Sequence, residues 1–202
     1  MKQMLRMAAV CIGLLLVIAL PVSAAEYGAP EITPKTTMKQ LRENPSIKGS
    51  GLYTYVYIWE RDCDLLRHSK DNDTMEQVIG TESVNSCVAG MNYLIETYNA
   101  GTQITYKLFS PEEIAQDASR DRAELYYFPA EQPGAKYAVV LSGNALFYSG
   151  EMRGGVSTAW ELHQQGYAVF ALRYRIGLDA TDNAPLEDLG RAIQFITANA
   201  QQ

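Results

Sequence analysis

Two uninterrupted apolar segments, residues 137–141 and 167–172, constrain the fold of this chain more than any other feature. Both are short and rich in β-branched and aromatic residues, which is typical of strands covered on both faces of a sheet. Between them lie a glycine-rich loop, residues 142–155, and a helix predicted from about Val156 to Gln165. A strand, a helix and a second strand with short links predict a right-handed βαβ unit with parallel strands.

The flanking segments extend this unit to an α/β domain. Strands are predicted at residues 52–59, 104–109 and 123–128, where aromatic and β-branched residues cluster. Helical spacing runs from Val84 to Tyr98 and again after Pro185. A short helix begins after Ser110, where Pro111 and Glu113 complete a capping-box pattern. The sequence therefore predicts an α/β fold with a mostly parallel sheet and flanking helices.

The first 24 residues have the pattern of a cleaved signal peptide. Lys2 and Arg6 precede an apolar run that Pro21 ends, and Val22-Ser23-Ala24 suits signal peptidase. We expect an exported protein, periplasmic or secreted, without a stable membrane span after cleavage; a retained N-terminal anchor is the alternative. Residues 25–51 are predicted to be an extended leader, and residues 52–202 to form the domain.

Charge and cysteine content narrow the classes of partner. Loss of Lys2 and Arg6 on cleavage takes the net charge from −6 to −8, which disfavours nucleic acid as a partner. No metal-ligand spacing or cofactor motif is present, so no cofactor is expected. Cys63 and Cys87 are a candidate disulfide in an exported chain, with two free buried thiols as the alternative.

Several motifs in the second half resemble a known family. Tyr137 to Ser149, then Gly166-Tyr167-Ala168-Val169-Phe170, Arg173-Tyr174-Arg175 and Ala184-Pro185-Leu186-Glu187-Asp188 follow one another in order. Together they resemble exported bacterial α/β-hydrolases of the esterase/lipase type. The resemblance covers residues 104–202, and Asn44-Pro45-Ser46-Ile47 also fits the leader of one bacterial branch.

This resemblance implies an oxyanion loop after the first core strand. In the family, backbone N–H groups of such a loop stabilise the tetrahedral oxyanion of acyl transfer. Here the loop is Ser142-Gly143-Asn144-Ala145, and the N–H groups of Asn144 and Ala145 are the candidate donors. An ordinary glycine-containing turn is the alternative. The family also implies that Asp188 pairs with Arg173 or Arg175, tying a helix to the sheet.

The triad of that family is not found in this chain. Its G-x-S-x-G elbow belongs on the strand after the helix that begins at Pro185, so we expect the fold to be partial and to stop before the elbow. Ser157, in a G-x-S-x-A string, is the one substitute nucleophile, but no strand precedes it and a position near a helix N-cap is favoured. His68 and His163 are interpreted as solvated surface residues.

Two functions follow from these observations. The first is an exported protein descended from a serine carboxylic-ester hydrolase, inactive as this chain, whose complete family fold would take a small ester or acylated substrate. The second is a non-catalytic exported binding protein on the same scaffold. Because a parallel sheet that ends at a helix exposes a strand edge, a partner that covers the edge is expected in that case.

Overall fold

The computed structural model describes residues 31–52, 69–143, 146 and 150–199 of the 202-residue chain. The α-helices are α1 (Met38–Glu43), α2 (Pro45–Ser50), α3 (Met75–Ile79), α4 (Val84–Asn99), α5 (Pro111–Gln116), α6 (Ser157–His163) and α7 (Ala184–Asn199). The strands are β1 (Thr105–Lys107), β2 (Glu124–Phe128), β3 (Tyr137–Leu141) and β4 (Ala168–Arg173). Short 3₁₀ helices span Ala118–Arg122 and Gly177–Asp179. The strand predicted at residues 52–59 lies outside the described residues except for Leu52.

The described strands form one sheet in the order β1-β2-β4-β3. β3 and β4 are parallel, with Tyr137 opposite Ala168 and Leu141 opposite Leu172. This confirms the parallel pair that the two apolar segments predict. The crossover between them is the helical segment that ends in α6.

The prediction of a mostly parallel sheet is wrong. β2 pairs antiparallel with both β1 and β4, so the described sheet is mixed. Residues 129–136 connect β2 to β3 and contain a Pro133-Gly134 turn. A link this short reverses the chain, whereas parallel strands need a crossover of about a dozen residues or more. The strand boundaries came from local composition, which does not specify strand direction.

The first face of the sheet, which carries Tyr126, Phe128, Val140, Val169 and Ala171, is covered by α4 and α6. Leu94 and Met91 of α4 are buried in the same cluster, at 0% and 2% exposure. The spacing of apolar residues predicted α4 almost to its ends. Tight packing of α4 on α6 is possible because position 90 is glycine: a Cβ there would lie 3.0 Å from both Trp160 Cβ and Val156 Cγ1.

Residues 38–50, part of the predicted extended leader, are helical and pack on α4 through α2. Residues 38–50 fold into α1 and α2, with Met38, Leu41 and Ile47 buried in the core. Thr37 caps α1 in a capping box with Gln40, and the Asn44 side chain accepts hydrogen bonds from two N–H groups of α2. These caps supply partners for end groups that such short helices would otherwise leave unsatisfied. The polar composition of this segment shows no clear periodicity, so these helices were not predicted from the sequence.

The second face of the sheet, which carries Leu125, Tyr127, Val139, Phe170 and Leu172, packs against α7. Leu189, Ala192 and Ile196 of α7 belong to this cluster. The capping box predicted for α5 is confirmed, because the Ser110 Oγ accepts from the Glu113 N–H and Glu113 Oε2 accepts from the Ser110 N–H. Among the residues that the structure describes, no helix is long and apolar enough to cross a bilayer.

Candidate functional site

The candidate oxyanion loop begins where β3 ends. Ser142 is 3% exposed, and its carbonyl oxygen accepts a 2.8 Å hydrogen bond from the Tyr174 hydroxyl. Tyr174 follows directly after β4, so the parallel pairing of β3 and β4 brings the two residues to the same edge of the sheet. Gly143 is exposed beside them. Asn144 and Ala145, the predicted N–H donors, lie outside the described residues, so their role stays a prediction.

A π-helical turn, Glu151–Val156, lines the other side of this loop. Its Gly155 lies against Ser142, since a Cβ on Gly155 would be 3.4 Å from the Ser142 Cβ. The prediction of a loop over residues 142–155 is wrong for residues 151–155, which belong to this turn, and the turn continues into α6 without a break. A wide turn of this kind is common near functional sites and aims backbone groups away from the regular α-helical pattern.

Glu151 and Tyr174 place polar groups beneath the loop. Glu151 is 3% exposed, and the Tyr174 side chain is buried at 4%. Burial, and secondarily the Glu151 carboxylate, raise the pKa of Tyr174, so its phenol stays protonated and donates to Ser142 at neutral pH. Sequence reasoning quoted Tyr174 within a motif but did not assign it this role.

Leu146 fixes the far end of the loop. Its backbone φ is +62°, which is unusual for a residue with a bulky side chain. Its carbonyl accepts a 2.7 Å hydrogen bond from the Gly177 N–H. The loop is therefore held at both ends by residues that follow β4, namely Tyr174 and Gly177. Such positioning from a neighbouring strand limits how far Gly143 can move.

Ser157 does not occupy a nucleophile elbow. It is 4% exposed, its backbone is helical, and its hydroxyl lies 3.2 Å from the Ser83 carbonyl and 3.1 Å from the Met152 carbonyl. The favoured position near a helix N-cap is confirmed, because α6 begins at Ser157 and Val156 is its N-cap residue. The hydroxyl links α6 to the start of α4, which leaves it poorly placed for attack on a substrate.

Cys87 is a fully buried free thiol next to Ser157. Burial raises its pKa to about 12, and a hydrogen bond with Ser157 offsets only part of that rise. A thiol with this pKa is not a nucleophile at neutral pH. Cys63, its candidate disulfide partner, lies outside the described residues, so the pairing stays a prediction.

His163 is buried, which corrects its interpretation as a solvated residue. It is 5% exposed and packs against Tyr93, with ring centroids 4.4 Å apart, and against Trp160 at 5.5 Å. Burial lowers the pKa of His163 despite the opposing charge of Glu131. The helical pattern put this residue late in α6, but only the tertiary packing shows that α4 covers it. His68 lies outside the described residues.

The ion pair predicted for Asp188 is confirmed with Arg175. Asp188 is 0% exposed, and its Oδ1 accepts from Arg175 Nη2 at 2.7 Å while its Oδ2 accepts from the Arg175 backbone N–H at 2.8 Å. Arg173, the other candidate partner, points to the first face and donates to Glu124 at 2.9 Å. β4 ends at Arg173, so Arg175 lies beyond the strand, and its side chain reaches Asp188 of α7 from the segment that follows.

Arg175 belongs to a larger arginine cluster around the Phe109 ring. The guanidinium carbons of Arg120, Arg175 and Arg191 lie 5.1–5.3 Å from the ring centroid. Four carboxylates pair with these arginines: Glu113, Asp117, Glu187 and Asp188. Each charge in the cluster has a partner, which is typical of a structural network.

The described residues can position a loop and orient its backbone, but they supply no nucleophile paired with a base. They also contain no group of three or more metal-binding side chains. Ser157 and Cys87 are buried against each other, and His163 packs among aromatic rings. No family model, curated protein or solved structure matches this chain.

Proposed function

We propose that this chain is an exported protein of the α/β-hydrolase type, descended from a serine carboxylic-ester hydrolase. It binds an acyl or carboxylate group at the loop after β3 and does not hydrolyse esters by itself. Export rests on the signal-peptide pattern of residues 1–24, which lie outside the described residues. No cofactor enters this proposal.

The strand order carries this proposal. A sheet in the order β1-β2-β4-β3, with β2 antiparallel to its neighbours and β3 parallel to β4, resembles the beginning of an α/β-hydrolase sheet. In that arrangement the loop after β3 is the place where the oxyanion donors lie. The motifs in the sequence and the order of the strands are independent features, and both lead to residues 142–145.

The surroundings of the loop suit a backbone binding site. The Tyr174 hydroxyl donates a hydrogen bond to the Ser142 carbonyl, so that carbonyl is directed into the protein. Gly143 is exposed, and without a side chain it adds no bulk beside this carbonyl. Donors held in a fixed orientation stabilise a developing oxyanion because no reorganisation is needed when charge appears.

Binding by these N–H groups can be measured directly. In the ¹⁵N-labelled protein, butyrate should shift the amide signals of Asn144 and Ala145 as its carboxylate accepts both hydrogen bonds. Ala145→Pro removes one N–H and should weaken butyrate binding about tenfold, the scale of a hydrogen bond to a charged group. Ala145→Gly keeps the N–H and should bind like the parent chain.

Butyrate that leaves both amide signals in place would contradict the proposed loop. Equal weakening by the proline and glycine variants would also contradict it, because the N–H group would then not be the determinant. A butanol titration gives a further control, since an alcohol lacks the charged acceptor.

Hydrolysis should be absent. The purified chain should release p-nitrophenol from p-nitrophenyl butyrate at the background rate, because Ser157 is buried and no base among the described residues lies beside it. Ser157→Ala should leave that rate unchanged. Turnover that a serine reagent abolishes, and that Ser157→Ala also removes, would overturn the proposed inactivity.

One observation favours the alternative of a binding protein. β3 pairs only with β4 among the described strands, and its Tyr137 and Leu141 are 45% and 42% exposed. An apolar strand at a sheet edge invites pairing with another chain. Size-exclusion chromatography with light scattering separates the two cases: a clean monomer over a range of concentrations argues against self-association through β3.

A further inference from the structure

A groove opens on the second face of the sheet, at the end opposite to the candidate oxyanion loop. It occupies about 690 Å³, within the range of ligand pockets. Its floor is formed where β3 and β4 begin, at Tyr137 and Ala168, whereas the candidate loop follows Leu141 at the other end of β3. The C-terminal end of α7 and the turn at residues 130–135 form its walls. This groove is therefore separate from the site described above.

Aromatic rings dominate the groove. Tyr127 and Phe170, neighbours across the β2–β4 pair, stack with centroids 4.6 Å apart and an interplanar angle of 14°. Tyr106 lies 6.4 Å from Tyr127 and 5.1 Å from Phe195 of α7, so a continuous chain of rings joins sheet and helix. Tyr137 adds a ring that is 45% exposed. Tyr106, Tyr127, Phe170 and Phe195 are partly buried, so each ring keeps some surface that a ligand can contact.

The charge in the groove has one sign. Among the described residues that line it, Glu131 is the only charged one, and none is a lysine or an arginine. The phenols of Tyr106 and Tyr127 stay protonated because burial raises the pKa of each. An anionic ligand would meet the Glu131 carboxylate in a chain whose net charge is already −6. A cation, in contrast, is attracted both by this carboxylate and by the faces of the rings.

We propose that the groove binds a small, soluble organic ammonium ion, held by the aromatic rings and by Glu131. Rings around a quaternary ammonium are a recurrent mode of recognition because the cation is weakly hydrated and the ring face is electron-rich. The volume of about 690 Å³ exceeds what one trimethylammonium group fills. The ligand therefore carries an aryl or alkyl substituent that packs against the remaining rings.

The test compares a cation with its neutral isostere. Choline and 3,3-dimethylbutan-1-ol have nearly the same shape and differ in the charge, so titration of each, followed by NMR shifts of the groove residues, isolates the electrostatic contribution. Choline should bind about tenfold more tightly than the alcohol. Benzyltrimethylammonium should bind more tightly than choline, because its ring occupies the remaining volume.

Matched variants identify the groups responsible. Glu131→Gln should weaken choline binding about three- to tenfold and leave the alcohol unaffected, while Glu82→Gln, at an exposed carboxylate of another surface, should change neither. Tyr137→Leu should weaken choline binding, and Tyr137→Phe, which keeps the ring, should not. All three positions are exposed, so we expect all four variants to fold, which circular dichroism verifies.

Three results would overturn this proposal. They are equal binding of choline and the alcohol, no saturable binding of any ammonium probe at millimolar concentration, and a cation preference that survives Glu131→Gln and Tyr137→Leu together. A fourth arm uses phosphatidylcholine vesicles: cosedimentation that these variants abolish, without binding of free choline, would identify a lipid headgroup and overturn the soluble ligand. Groove shifts with choline and no cosedimentation support the proposal.

Discussion

α4 and α6 meet the first face of the sheet through apolar side chains, whereas α7 meets the second face partly through the arginine cluster. On the first face, close packing of apolar side chains determines the position of the helices. At Gly90, α4 lies so close to Val156 and Trp160 that a Cβ would not fit without a shift. On the second face, Asp188 ties α7 to the end of β4 with directed, charge-assisted hydrogen bonds. The ion pair of Asp188 fixes α7 near its N-terminal end. The C-terminal end of α7 covers the sheet less closely, and the groove lies there.

The largest expected effect comes from the second face. Asp188→Ala removes the partner of a buried arginine and should lower the free energy of unfolding by about 3–5 kcal/mol. Urea denaturation followed by circular dichroism measures it. Glu187→Ala, which removes a half-exposed carboxylate from the same arginine, should cost about 1 kcal/mol or less. Similar losses for the two variants would mean that burial does not distinguish these carboxylates.

A smaller effect is expected on the first face. Gly90→Ala places a methyl group 3.0 Å from Trp160 Cβ and Val156 Cγ1, and overpacking of this kind should cost about 1–3 kcal/mol. Gly190→Ala in α7 is the matched control, because a Cβ there meets nothing within 4 Å. That variant should stabilise the chain by about 0.5–1 kcal/mol, since alanine is the better helix former. Opposite signs at the two glycines would support the contrast between the faces.

The smallest effect concerns pH and His163. Burial lowers the pKa of the folded histidine below its ordinary value of 6.5, so near and below that pH the unfolded chain binds the additional proton. Stability should therefore fall as the pH drops through about 6.5, by at most about 1.4 kcal/mol per pH unit from this group. Tyr93 and Glu131 are the other titratable groups near the ring.

Comparison with His163→Phe isolates this contribution. The variant keeps an aromatic ring among Tyr93, Phe128 and Trp160 but cannot titrate. Its melting temperature should depend less on pH between about 7 and 5 than that of the parent chain. Identical pH profiles would show that His163 has the same proton affinity in the folded and unfolded states.

Sequence patterns predicted the features that depend on neighbouring residues. Helix α4, the capping box at Ser110 and the parallel pair of β3 and β4 all follow from spacing or from short links. Patterns failed where distant residues decide. The direction of β2 depends on its pairing with β4, about forty residues later, and the burial of His163 depends on contact with α4. Neither can be predicted from the residues that are adjacent in sequence.

The candidate site was predictable only in its position. The apolar run before Ser142 placed a loop at the end of a core strand, and the structure brings Tyr174 to that loop through strand pairing. The π-helical turn beside it was missed because Gly154 and Gly155 are typical of loops. The groove of aromatic rings was missed as well, since its members come from four strands and a helix.

The insertion of β4 between β2 and β3 has a consequence for how the chain folds. β2 and β3 are consecutive and joined by a Pro133-Gly134 turn. A direct hairpin between them would therefore form early, because closing so short a loop costs little conformational entropy. That hairpin is a non-native competitor, because the native sheet needs a vacant place between these strands until β4 arrives. We therefore expect the pairing of β4 with β2 and β3 to limit the folding rate. Before this step, β2 and β3 each have an unpaired apolar edge.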